Sequence, residues 1–315
     1  MNYYKVYGLI CKSAIKIDSF QSVAPSKVIK EDFSVELGKV VREFPQNEKT
    51  EGYNIFLDRN LYFLHIPDVA KYYIENNNKV IIEPLTDKFN DVLLHFRSSC
   101  LAAILVQKGK IPFHVSGVAD ELGNCWLFAG DPGAGKSTTA LKLSEKGYRI
   151  FTDDTALIYV ENGTCFARPS FPLLKVWPTT FKQQRLFEGN QAFQYASDIN
   201  KFGIYFHSTF NDFPLRVKGI TFLSISGKDI WIKQLKPVES IKYLVENNYA
   251  DSYLEKLNMQ ADLFKLVTSI AGTTNFWLAN RPDKKSSFDS FAEQIKKEIL
   301  LSNNTQTNNP SLMAS

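Results

Sequence analysis

The segment Gly130-Asp131-Pro132-Gly133-Ala134-Gly135-Lys136-Ser137 most narrows what this chain can fold into. It fits the pattern G-x-x-x-x-G-K-[ST]. Glycines let such a loop curl until successive backbone N–H groups converge on one point, and the helix that follows adds its positive end there. The pattern demands an apolar strand leading in and a helix leading out, and Cys125–Ala129 and Lys136–Glu145 supply both. At average glycine usage the pattern arises by accident in about one chain of this length in a hundred. The convergent N–H groups suit phosphate oxygens, so Gly130 through Ser137, with Thr138 after them, are the candidate nucleotide-binding residues. Lys136 has the reach for β- and γ-phosphates, and the Ser137 hydroxyl is a candidate Mg²⁺ ligand.

Around this loop the chain alternates strands and helices. Ile111–Val118 and Asn124–Ala129 flank a short turn and are expected to pair antiparallel. Tyr148–Thr152 is the next strand after the loop helix, with Gly147 as that helix's stop. Ala156–Val160 and Cys165–Arg168 flank Asn162-Gly163, a strong hairpin signal. Arg216–Ile225 and Ile230–Gln234 read as strands, and Ser240–Asn247, Tyr253–Ile270 and Phe288–Leu300 as helices. Upstream, Phe89, Val92, Leu93, Phe96, Cys100, Leu101, Ile104 and Leu105 recur at helical spacing, lining one face for a core, with Gly109 as the stop. Before that helix, Tyr3–Ile10, Tyr53–Leu57, Leu61–Ile66 and Lys79–Glu83 are β-branched and aromatic runs. The fold class is therefore α/β, a P-loop domain over residues 86–301 preceded by a small β-rich (α+β) domain over 1–85. The boundary between the two lies near Leu85. The polar stretch 302–315 is expected to be a disordered tail.

Asp153-Asp154 ends the strand after the P-loop helix. In a β-α-β unit that end lies beside the phosphate loop. Two adjacent carboxylates there can divide the work, one holding Mg²⁺ or its water and the other accepting a hydroxyl proton. The competing reading is that both cap the next turn, where Asp is common. His114 lies on the strand paired with the one entering the loop. By position alone a lone histidine in an apolar strand favours a structural role.

Composition closes off other classes. The 315 residues carry 37 Lys+Arg against 33 Asp+Glu, a net +4 that is too slight for a nucleic-acid surface. Cys11, Cys100, Cys125 and Cys165 lie far apart with no Cys-x-x-Cys, which points away from disulfides or zinc and towards a reducing cytoplasm. The apolar run Leu101–Val106 is too short to span a bilayer, so no membrane partner is expected. The chain has no Leu-Ser-Gly-Gly-Gln, and Asn200-Lys201-Phe202-Gly203 lacks the aspartate of a guanine-reading motif.

Phe113-His114-Val115-Ser116, Gly130–Ser137 and Phe151-Thr152-Asp153-Asp154 together resemble the catalytic core of HPr kinase/phosphorylase. The chain is more similar still to HPr-kinase-like proteins of peptide-biosynthesis clusters, including lasso-peptide precursor kinases. The likeness takes in Leu101–Leu105, Arg168–Pro178 and the opening Tyr4–Leu9. The resemblance implies a phosphoenolpyruvate-carboxykinase-like P-loop fold with ATP and Mg²⁺ as cofactors. It makes Lys136 the phosphate-binding lysine, Ser137 a metal ligand, Asp154 the base, Asp153 its metal-side neighbour and His114 an active-site histidine. The chain departs from HPr kinase in having Arg168–Trp177 after the Asp pair rather than a placeable magnesium-site glutamate. It also lacks the segments associated with phosphorylase activity. The expectation is a Mg-ATP-dependent kinase acting on a hydroxyl, serine of a peptide or protein first. A small-molecule acceptor, a nucleotide-dependent switch or ATPase, and a binding-only relative are the alternatives. Lys175, Trp177 and Lys201 are candidates for the acceptor side or a lid, against a reading of Trp177 as core and the lysines as solvated.

Overall fold

The computed structural model describes residues 1–24, 30–41, 49–50, 53–178, 192–197, 199–283 and 287–301. The expected tail over 302–315 lies outside the described residues. The first part of the chain forms β1 (Asn2–Val6), β2 (Leu9–Ser13), β3 (Gln21–Ser22), β4 (Phe33–Leu37), β5 (Lys49–Thr50), β6 (Tyr53–Leu57), β7 (Leu61–Ile66), β8 (Ala70–Glu75) and β9 (Lys79–Pro84). These make one nine-stranded sheet in the order β3-β1-β2-β4-β9-β8-β7-β6-β5. The run Tyr3–Ile10, read as one strand, is instead a hairpin. Tyr7 and Gly8 take positive φ angles of 49° and 74°, and Val6 pairs with Leu9 across them. A two-residue turn of that hand matches the twist of the strands it joins.

After the sheet come α1 (Phe89–His95), a π-helical turn (Phe96–Cys100) and α2 (Leu101–Gln107), stopped at Gly109 with φ 70°. The sequence pattern implied one apolar face, but Leu101 through Val106 are all buried. A helix buried on every side has neighbours on every side. The Tyr72 hydroxyl of β8 donates to Val92 O at 2.7 Å, and Gln107 Nε2 donates to Asp58 O at 2.9 Å. The Tyr62 and Tyr253 hydroxyls, 3.0 Å apart, join the first sheet to the later helix Asp251–Lys256. Phe89–Gln107 is long and apolar enough to cross a bilayer, yet 61% of its apolar 18-residue window is buried inside the protein. One hydrophobic core runs from Tyr4, Val6 and Phe33 through Phe96 and Ile104 to Phe113, Leu127, Ile220 and Phe276.

The rest of the chain builds a mixed α/β layer. Its strands are β10 (Pro112–Phe113), β11 (Val115–Ala119), β12 (Asn124–Ala129), β13 (Arg149–Thr152), β14 (Ala156–Glu161), β15 (Thr164–Pro169), β16 (Leu173–Val176), β17 (Ala192–Ala196), β18 (Ile199–Tyr205), β19 (Leu215–Ile225), β20 (Trp231–Leu235) and β21 (Asn275–Arg281). A second nine-stranded sheet follows the path β10-β14-β15-β19-β12-β11-β13, with β21 beside β19 and β20 beside β21. A small third sheet has the order β16-β18-β17. The expected antiparallel pair is present, from Val115 opposite Ala129 to Ala119 opposite Cys125. So is the Asn162-Gly163 hairpin, at φ 49° and 71°.

The third sheet was not anticipated from the sequence, and further features differ from the expectation. The strand Ile111–Val118 breaks at His114, because Pro112–Phe113 pairs with β14 whereas Val115–Ala119 pairs with β12 and β13. The helix Tyr253–Ile270 is two helices, Asp251–Lys256 and Gln260–Ala271, separated at Asn258 with φ 56°. And β21, which the sequence reading passed over, lies parallel to β19 with Phe276, Trp277, Ala279, Asn280 and Arg281 buried. The helices Pro237–Glu246 and Phe288–Ile295 fall where periodicity put them.

Candidate active site

The P-loop motif sits where β12 hands over to α3 (Lys136–Ser144). Two of its glycines are dictated by space. A Cβ on Gly130, at φ 137°, would lie 2.5 Å from Leu223 O, and one on Gly135, at φ 103°, would meet the Phe288 ring at 2.7 Å. Asp131, Pro132 and Gly133 form the exposed crest, Ala134 is buried, and Thr138 follows Ser137 on the first turn of the helix. The loop is braced from two sides. Gly130 N donates to Asn247 Oδ1 at 2.7 Å, and Arg281 Nε donates to Ala134 O at 3.3 Å, its guanidinium 4.1 Å from the Phe288 ring centre. Lys136 Nζ folds back on the loop, donating to Gly130 O at 2.6 Å and Asp131 O at 3.3 Å. Burial lowers the Lys136 ammonium from its ordinary value, against the raising pull of Asp154 and Asp153.

β13 runs parallel to β12 with β11 between them, so its carboxyl end opens beside the loop. Asp153 is 1% exposed and fully engaged. Ser116 Oγ donates to its Oδ1 at 2.6 Å, and the Lys175 backbone N donates to its Oδ2 at 2.9 Å. The Ser116 hydroxyl also lies 3.4 Å from Ser137 Oγ, which joins the two candidate metal ligands through one side chain. Among the described residues no three His, Cys, Asp or Glu side chains gather as a metal cage. A hydroxyl plus one carboxylate nevertheless suits Mg²⁺, which keeps waters and substrate phosphate oxygens for its remaining positions.

Asp154 faces different partners. Thr155 N donates to Asp153 O at 2.9 Å around Asp154, whose φ is 71°. An i to i+2 bond about a residue of positive φ is the rare, strained hand of γ-turn. The turn is locked by Thr152 Oγ1, which donates to Thr155 O at 2.6 Å. Asp154 Oδ2 accepts from Lys175 Nζ at 2.6 Å, and Oδ1 lies 3.8 Å from His114 Nε2. Burial by itself would raise the Asp154 carboxyl, but Lys175 and His114 outweigh it and hold it below the usual carboxylate range. Burial likewise works against the Lys175 ammonium, and Asp154 outweighs that to push it up. His114 is lowered by burial and by nearby Lys136.

Three tyrosines wall this carboxylate side. Tyr7, at the tip of the first hairpin, meets Thr155 Oγ1 through its hydroxyl at 2.5 Å, and its N donates to Ser170 O at 3.2 Å. Tyr195 lies under Lys175, whose Nζ is 4.8 Å from the ring centre. Tyr249 packs edge-on against His114 at 5.8 Å. Burial raises the Tyr7 and Tyr249 hydroxyls well above their ordinary value, with Asp154 adding to both.

Every residue singled out from the sequence for chemistry is therefore on this one surface, although Asp153 and Asp154 turn to separate partners. Neither carboxylate is a simple turn cap. Of the acceptor-side candidates, Lys175 is paired, so the solvated reading does not hold for it. Trp177 is 49% exposed, so it is not core, and Lys201 Nζ lies 5.1 Å from its ring centre. Ser116 was visible only inside the Phe113–Ser116 motif, with no role attached. Tyr7 likewise was visible only inside the Tyr4–Leu9 resemblance, with no role attached, and Tyr195, Asn247, Tyr249 and Arg281 carried no pattern that could have placed them, because only the fold brings them to the loop.

No protein-family profile and no curated protein matches the chain. Among solved structures it is similar to the HPr(Ser) kinase/phosphatase from Coxiella burnetii at 9% identity, over 63% of this chain and 99% of that one, with a TM-score of 0.31. That likeness is weak, and the site is read from its own geometry.

Proposed function

We propose that this protein is a Mg-ATP-dependent kinase that transfers the γ-phosphate to a hydroxyl, serine of a peptide or protein. One observation carries the reading: two adjacent carboxylates beside a phosphate loop are assigned to opposite sides. Asp153 is tied to Ser137 through Ser116, while Asp154 is turned out towards Lys175 and His114.

The loop N–H groups and the amino end of α3 bind the ATP phosphates. Lys136 exchanges its two carbonyl partners for β- and γ-phosphate oxygens. Ser137 and Asp153 are the residues that would hold Mg²⁺, which when bound neutralises phosphate charge. Asp154 Oδ2 belongs to Lys175, which leaves Oδ1, without a hydrogen bond among the described residues, for the acceptor hydroxyl. The acceptor oxygen bonds to the γ-phosphorus, the bond from that phosphorus to the bridging oxygen breaks, ADP leaves, and the hydroxyl proton goes to Asp154. A carboxylate held this low is a weak base, so its contribution is aim more than proton affinity. That is in keeping with a reaction governed by positioning and electrostatics. His114 Nε2 stands 3.8 Å from Oδ1, with its imidazole lowered by burial.

The test is γ-labelled ATP and Mg²⁺ with extract of the source cell, comparing wild type with Asp154→Asn and separating protein, peptide and small-molecule fractions. Label in peptide or protein only with wild type supports the proposal. Label in a small molecule changes the acceptor class, and release of free phosphate alone replaces the kinase with an ATPase.

A further inference from the structure

Arg97 is 4% exposed, and its Nε, Nη1 and Nη2 are all buried without a hydrogen-bond partner among the described residues. An arginine stays charged at any physiological pH, and an interior guanidinium with no acceptor is among the least favourable arrangements a fold can carry. What it does have is a ring: its guanidinium carbon lies 5.2 Å from the centre of Tyr195, the same ring that Lys175 Nζ approaches at 4.8 Å. Two irregularities meet there. Arg97 lies in the π-helical turn Phe96–Cys100, and such turns inside α-helices often sit at functional sites. Tyr195 lies where the pairing of β17 with β18 shifts register, between Gln194 and Ala196, and a bulge of that kind re-aims a side chain.

We infer that Arg97, with Tyr195 and Lys175, forms a subsite for an anionic group, carboxylate or phosphate, carried by the phosphoryl acceptor close to its reacting hydroxyl. This rests on the kinase reading above. The nucleotide's own phosphates have the loop and Lys136, whereas Arg97 connects through Tyr195 and Lys175 to Asp154, the acceptor side. A planar guanidinium with unspent donors matches the paired oxygens of either anion. The end of β17, which carries Tyr195, is held to α1 by two exposed hydrogen bonds. Asn90 Nδ2 donates to Gln194 O at 3.2 Å, and Ser197 N donates to Asp91 Oδ1 at 2.7 Å.

The first measurement is thermal melting of the full chain in sodium acetate against sodium chloride at equal ionic strength, with ADP and Mg²⁺ present to occupy the phosphate loop. Acetate should raise the wild-type melting temperature by a few degrees. Arg97→Met should melt above wild type in chloride, since it removes an unmatched buried charge, and should ignore acetate. Arg97→Lys should keep a reduced response. No acetate response in wild type, or an undiminished one in Arg97→Met, overturns the subsite. Repeating the series with phosphate separates the two anion chemistries.

The second measurement uses serine peptides with one Asp walked through the flanking positions, each paired with its Asn counterpart. Wild type should prefer at least one acidic peptide by tenfold or more, and Arg97→Gln should lose that preference. Phosphorylation without any acidic preference overturns the subsite and leaves the kinase reading standing. An Arg97-dependent acetate response with no peptide phosphorylated keeps the subsite and removes the peptide-kinase reading.

Discussion

Lys175 Nζ lies 2.6 Å from Asp154 Oδ2, so the carboxylate assigned to the acceptor proton is one half of an ion pair that the third sheet delivers to the second. The pair fixes the carboxylate's direction, reserves one oxygen and keeps it ionised. Breaking it has two separable effects.

Asp154→Asn should leave ATP binding nearly intact and slow phosphoryl transfer by about 10²–10⁴-fold, the usual worth of a positioned acid–base group. Transfer at the wild-type rate in single-turnover measurements would remove Asp154 from the chemistry. The same substitution strands Lys175 and should cost about 3 kcal/mol in urea unfolding. Adding Lys175→Met should restore most of that stability without restoring transfer.

Lys136→Met should abolish the rise in melting temperature that ATP and Mg²⁺ give wild type. Among the described residues Lys136 bonds only to Gly130 O and Asp131 O, so unliganded stability should change by no more than about 1 kcal/mol. A variant that still gains stability from ATP contradicts the phosphate role.

Gly130→Ala should destabilise the fold by roughly 2–4 kcal/mol, because a Cβ there meets backbone that cannot step aside and φ is 137°. Gly133→Ala sits at φ 89° but touches nothing within 4 Å, so it should cost less. Equal losses in denaturant titrations would show that the contact with Leu223 is not what fixes position 130.

Acid should weaken the fold through His114. Burial holds its folded pKa below the ordinary 6.5, so as pH falls through about 6.5 the unfolded chain takes up a proton that the folded one refuses. Stability therefore declines from that point down to the folded pKa. Urea midpoints at pH 7.5 and 5.5 should differ more in wild type than in His114→Gln. His95, also lowered by burial, contributes equally to both proteins. Identical differences would place His114 outside the acid response.

Tyr7→Phe should cost about 1 kcal/mol by removing the hydroxyl contact with Thr155 Oγ1, and should lower transfer through the turn that carries Asp154. Residues 86–301 expressed alone should fail to give a cooperative melt, because the shared core leaves Phe96, Leu101 and Ile104 without the first sheet. A cooperative transition from that fragment would establish it as an independent domain.

The glycine-rich loop, its strand and helix, and the position of the carboxylate pair were legible in sequence because each is written in consecutive residues with its own steric logic. Strand register and hairpin placement followed wherever a turn residue announced them, as at Asn162-Gly163. Partner choice was not legible. Nothing near Asp154 says that it pairs with Lys175 while Asp153 takes the Lys175 backbone, since that depends on how the third sheet lies on the second. Tyr3–Ile10 reads as unbroken because tyrosine is a strand former, and only its positive φ at position 7 reveals the turn. The helix at Leu101–Val106 looked one-faced because spacing reports periodicity, not how many neighbours the fold will bring.

The contact between Tyr7 and Thr155 spans 148 positions. At a synthesis rate of about 5–20 residues per second, the hairpin that opens the chain waits roughly 7–30 s before its partner leaves the ribosome. Phe20, Phe33 and Phe96 can cover the apolar face of β1 and β2 in the meantime, but closure of the Tyr7 tip onto Thr155 has to wait, and non-local closure of this kind is slow even once the chain is complete. Seating the first hairpin beside the Asp154 turn therefore makes this contact a late closure in the folding of the newborn chain.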